Sequence, residues 1–162
     1  MYSVLDICRY VINYSNKKDY GVSNLKLQKV LYFIQAHFLL DTDSPEACFV
    51  EPIEAWDFGP VVPIAYHEYK HFGSSDIPSI NSYLIIKDTK PLKMERVKYD
   101  DDIINDKDKA RINEVVDVLS DYTASDLVKI THDQAPWKNA YRRGRNSVIS
   151  HEEIKEYFED GK

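Results

Sequence analysis

The chain has 162 residues, 43% of them hydrophobic and 30% charged, which supplies a core for one domain and excludes wholesale disorder. Its net charge of −6 argues against a protein drawn to nucleic acid by its overall field, although Lys138, Arg142, Arg143 and Arg145 form a local basic cluster. Cys8 and Cys48 make neither a C-x-x-C nor a metal-ligand spacing, Met1-Tyr2-Ser3-Val4-Leu5-Asp6 does not read as a signal peptide, and no apolar run reaches the roughly eighteen residues that span a bilayer; a reducing cytoplasm is the expected location.

In chain order, a first helix is expected from Val4 to Tyr14, where Val4, Ile7, Cys8, Val11 and Ile12 recur at the helical period. Ser3 is placed as its N-cap and Asp6 as a capping-box partner. Cys8 falls on the apolar stripe and reads as a core thiol. Gly21-Val22-Ser23 stops the connection, and Ser23 caps the strongest helical pattern in the chain. Leu27, Val30, Leu31, Ile34 and Phe38 form its stripe, widened by Leu25, Phe33, Ala36 and Leu39, so this helix belongs at the centre and is covered on most sides. Its polar Asn24, Gln28 and Gln35 are read as hydrogen-bonded rather than catalytic.

Residues 41–48 read as a loop and 49–56 as an extended piece. Gly59-Pro60-Val61-Val62-Pro63 is a stiff turn feeding a helix to about Phe72, with Gly73 expected as a left-handed cap. Residues 82–86 fit a short strand. The stretch 87–107 is charged and without a clean period, a loop length that tends to be functional or mobile. Ile112, Val115, Val116 and Leu119 mark an amphipathic helix beginning near Asp108, a shorter one spans Ser125 to Thr131, and another begins at Pro136. Ser150-His151-Glu152-Glu153 is a capping box opening the last helix, with Ile149 and Ile154 as its hydrophobic staple. The expected fold is mainly α, a single domain over 1–162 with about six to seven helices and short strands or a hairpin admitted near 49–56 and 82–86.

His67-Glu68-Tyr69-Lys70-His71 matches H-E-x-x-H, in which two histidines one turn apart hold zinc and the glutamate is the base. At about 100° per residue, however, Ala65, Tyr69 and Phe72 define the buried face and the two histidines point away from it. A solvated face is the better reading, so no metal, cofactor or catalytic residue is assigned and the chain is not expected to be an enzyme; a small zinc hydrolase is the alternative. Thr131-His132-Asp133 are neighbours in a helix and do not face one another, which favours a structural His132. The basic cluster reads either as a solvated helix end or as a phosphate or acidic-partner contact, the second making a nucleic-acid-binding regulator a further alternative. Trp56 and Trp137 read either as core anchors or as interface hot spots.

Four blocks in order resemble the Panacea (SocA-like) antitoxin domain, formerly a phage-associated domain of unknown function. They are Ser23-Asn24-Leu25-Lys26-Leu27-Gln28-Lys29-Val30-Leu31-Tyr32-Phe33; Ile53 to Pro63 followed by Tyr66-His67-Glu68; Leu127, Thr131-His132 and Pro136-Trp137; and Ile149-Ser150 with Tyr157-Phe158. Asp57 departs from the basic residue common there, and a second histidine at His71 is not a family feature. The resemblance implies a helical antitoxin that binds a cognate protein toxin carried by a separate chain, and in some members delivers it to a cellular protease. On this basis Trp56, Phe58, Gly59, Pro60, His132 and Trp137 are the expected partner-binding residues. The 56–63 turn and the 131–137 segment are expected to lie together. Residues 73–107 match least and are the place for partner choice to vary.

Overall fold

The computed structural model describes residues 1–160. Helix α1 (Val4–Lys17) is followed by α2 (Asn24–Leu39), strands β1 (Ile53–Trp56) and β2 (Gly59–Val61), and helix α3 (Pro63–Tyr69) with a 3-10 turn over Lys70–Phe72. A ribbon of β3 (Ser82–Thr89) and β4 (Leu92–Lys98) leads to α4 (Asp106–Leu119), α5 (Ala124–His132), α6 (Ala135–Arg143), β5 (Ser147–Ile149) and α7 (His151–Glu159). Expectation and structure part on the class of fold. The chain is mixed α and β rather than mainly α, because five strands make two antiparallel sheets, one in the order β2-β1-β5 and the other β3-β4.

Helix α2 is the axis of the molecule, packed by α1, α3, α4, α5, α7 and β2. Ser23 accepts a hydrogen bond from the Lys26 amide at 3.3 Å and so caps it. Leu27, Leu31 and Ile34 are wholly buried, each contributing roughly 1.5–3 kcal/mol of hydrophobic stabilisation. The polar residues of α2 peg irregular backbone to the core. Gln35 accepts from the Cys48 amide at 2.7 Å and donates to the Phe49 carbonyl at 3.0 Å. Gln28 accepts from the Val62 amide at 3.0 Å and donates to Asn24, which in turn donates to the Tyr66 carbonyl. The β1–β2 hairpin and the start of α3 are thereby fixed to one face of the central helix.

Local chemistry corrects several boundaries. Helix α1 runs one turn beyond Tyr14, and Ser3 makes no side-chain cap; the Glu51 carboxylate accepts from the Val4 amide at 3.0 Å instead, while Asp6 pairs with Arg9. Helix α3 ends at Tyr69, and Gly73 has a positive φ of 60° but a ψ of −130°, outside the left-handed helical region. The stretch 87–107 contains most of the β3–β4 ribbon, the 3-10 turn Asp101–Ile103 and the first two residues of α4. The capping box of α7 forms as read, with both Ser150 and Glu153 bonded, over buried Ile149 and Ile154. Cys8 and Cys48 are buried and free, and desolvation pushes both thiols well above their usual range. Among the described residues no helix is long and apolar enough to cross a membrane.

Candidate protein-docking site

The β1–β2 turn and the α5–α6 corner meet. Trp137, on the first turn of α6, donates its indole N–H to the Trp56 carbonyl at 2.8 Å. His132, the last residue of α5, donates from Nε2 to the Asp57 carbonyl at 3.0 Å, which places the ring proton on that nitrogen. The His132 ring stacks on Trp137 at 4.1 Å between centroids, and Trp137 stacks on Tyr141 at 4.6 Å. Trp56 turns its own indole N–H to Glu54 at 2.9 Å and packs edge-on against Tyr66. Both tryptophans are half-buried and pin elements together, whereas Phe58 at the tip is 66% exposed.

Asp57 holds a second set of bonds. Tyr141 donates to one carboxylate oxygen at 2.6 Å and Arg145 to the other at 2.7 Å. The tyrosine hydrogen bond, followed by the arginine, keeps the Asp57 carboxyl below its ordinary range, and the same bond raises Tyr141. The acidic residue at position 57 is thus answered by Arg145 within the same chain.

Beneath the turn lies Lys29, which the sequence presents only within a family signature and to which spacing alone assigns no role. Its side chain is fully buried, and Nζ donates to the Pro60 carbonyl at 3.1 Å. Burial pushes its pKa down to about 7. Gly59 makes this packing feasible, since it has φ +109° and a Cβ there would stand 2.7 Å from Lys29 Cε and 2.9 Å from Thr131 Oγ1. A signal for Lys29 existed, because it lies four residues from both Leu25 and Phe33 on a row of the helix that the apolar stripe already included. Beside Phe58 runs a groove of about 280 Å³, lined by Leu25, Trp56, Tyr66 and Arg145 among others.

The other sequence candidates stand apart. His67 and His71 are exposed, and His71 lies beyond the end of the α-helix, in the 3-10 turn. Neither belongs to a convergent set of three ligating side chains among the described residues; the one such set is the exposed Asp100, Asp101 and Asp102. In the basic cluster, Arg143 is bonded to Glu153 at 2.6 Å and Arg145 to Asp57, so two of the four cations are answered internally.

A family model described as antitoxin SocA-like, Panacea domain, matches residues 27–138. The chain belongs to that family, and the matched region contains all six residues of the expected docking surface. Antitoxin SocA of Caulobacter vibrioides (strain NA1000 / CB15N) is 48% identical over 48 residues, covering 30% of this chain. The match spans 24% of that relative's length, so the two are alike over a segment and not end to end. No solved structure matches the chain.

Proposed function

We propose that the chain is the antitoxin of a toxin–antitoxin pair, neutralising a protein toxin encoded separately by binding it directly at the β1–β2 turn. Family membership supports the antitoxin role. The observation that carries the surface is an exposed Phe58 on a turn whose backbone is tied down from three sides, by Trp137, His132 and Lys29. A large aromatic on a preorganised turn loses little entropy when a partner covers it, and such anchors dominate interface energetics. The site is read as non-catalytic: Lys29, whose pKa lies near neutral, is sealed under the turn where no substrate atom reaches its amine.

The test is Phe58→Ala, assayed by rescue of cells expressing a toxic neighbouring gene product and by direct binding to that product. Because the side chain is exposed, the melting temperature is expected to stay unchanged while affinity falls about tenfold or more. Unchanged rescue and affinity would remove the turn from the interface, and the absence of any toxic product would remove the antitoxin reading itself. Toxin half-life measured with and without the chain then distinguishes occlusion from delivery to a protease.

A further inference from the structure

Strands β3 and β4 form a ribbon that pairs with no third strand among the described residues. Such a ribbon is marginal by itself in water. Its base is fastened to the body by the Arg9 guanidinium, 3.4 Å over the Tyr83 ring, and by Asn13 of α1, which donates to the Ile80 carbonyl at 2.9 Å and accepts from the Ile80 amide at 2.7 Å. Beyond that base the ribbon presents apolar side chains that the described residues leave about half exposed or more. Ile86 pairs with Met94, and Leu84 lies two residues from Ile86 on the same face. Leu84, Ile86 and Met94 are 49%, 64% and 55% exposed.

That face is one wall of a cleft of about 750 Å³, whose other wall includes Tyr69, Phe72 and Ile80. The volume suits a few side chains rather than a helix, whose diameter alone is about 10–12 Å. The ribbon also concentrates positive charge, with Lys87, Lys90, Lys93, Arg96 and Lys98 against Asp88 and Glu95, in a chain of net charge −6. Lysines along an exposed ribbon discourage self-pairing. That role accounts for the cations, but not for apolar side chains facing an open cleft. Arg96 stands on the same face, its guanidinium held by Ser82 Oγ at 2.9 Å.

We propose that this cleft binds an extended, acidic segment of a protein partner, separately from the β1–β2 turn. Side chains two residues apart, matching the strand's own spacing, enter against Leu84, Ile86 and Met94, and a carboxylate of the segment meets Arg96. Glu68 on the opposite wall disfavours a second carboxylate there and sets the direction in which the segment lies. The inference does not depend on the partner's being a toxin.

The probe is a random dodecapeptide display library panned on the full chain, and on its Ile86→Glu, Met94→Glu, Arg96→Glu and Phe58→Ala variants. Circular dichroism and the melting temperature verify that each remains folded. The wild type is expected to enrich peptides with apolar residues two apart and at least one carboxylate. Binding of those peptides falls about tenfold or more in Ile86→Glu and Met94→Glu, is unchanged in Phe58→Ala, and loses its preference for acid in Arg96→Glu. No consensus, or a consensus indifferent to the ribbon variants, overturns the proposal. So does sedimentation showing a dimer that the ribbon variants dissolve, since a second copy would then be the occupant. Toxin rescue unaffected by the ribbon variants leaves this proposal standing, and peptide binding with no rescue leaves it standing while the antitoxin reading fails.

Discussion

At Lys29 an amine is held away from solvent, with a carbonyl rather than a carboxylate as its hydrogen-bond acceptor. Desolvation alone depresses its pKa, from 10.5 in the open chain to about 7 in the folded one. Between those values the unfolded chain binds more protons than the folded one, so stability rises with pH through the window. Below about pH 7 both states are protonated and the slope vanishes. Above about pH 9 the buried thiols of Cys8 and Cys48, raised by burial, act with the opposite sign, because the folded chain then keeps protons that the unfolded one releases. The Lys29 contribution is therefore cleanest between about pH 7 and 9. Denaturant melts across that range are expected to show midpoints climbing with pH in the wild type, and a flat profile in Lys29→Met, which keeps the volume and removes the charge. A climbing profile in the variant would assign the effect elsewhere.

At the scale of elements, α2 shows how a helix can organise backbone that is not regular. Gln35 stands in for a neighbouring strand, supplying both an acceptor and a donor to Cys48 and Phe49. Gln35→Leu keeps the burial and strands those backbone groups without partners, at about 1–3 kcal/mol for each. A marked fall in melting temperature is expected, with faster amide hydrogen exchange at Cys48; unchanged exchange there would show that the segment is held by other means. The helices were legible because their apolar residues recur at the helical period, as in α1 and α2, and because start signals such as the capping box of α7 mark where they begin. Of the β3–β4 ribbon only the first part of β3, over 82–86, was legible; the rest was not, since apolar and charged side chains occupy both of its faces: Leu84 shares a face with Arg96, and Ile85 shares the other with Glu95. The meeting of the turn with the α5–α6 corner was legible from the order of Trp56, His132 and Trp137 in a known family's pattern. The Lys29–Pro60 contact was not, because spacing along a chain does not disclose which side chain will lie under a distant turn.

At the scale of the whole molecule, the distribution of charge decides how the basic cluster of α6 behaves. Arg143 is committed to Glu153 near the start of α7, and Arg145 to Asp57, which leaves Lys138 and Arg142 projecting to solvent. Those two stand on a chain of net charge −6, whose long-range field repels a polyanion. Each phosphate neutralised on duplex DNA steepens the fall of log affinity with log salt by roughly 0.9, so the slope counts the cations engaged. With two cations to offer from this face against a repulsive field, the α6 cluster is expected to support only weak association with a labelled duplex at low salt, vanishing near physiological ionic strength in an anisotropy titration. Arg143→Ala is expected to free Glu153 and weaken that residual association further. A slope reporting four or more engaged cations, or sequence-dependent binding that survives physiological salt and is lost in Arg142→Ala, would mean that the internal pairs open on contact and that this face reads nucleic acid. The retention of both pairs at 2.6–2.7 Å, on side chains already bonded to structured elements, is the physical reason to expect the weak result.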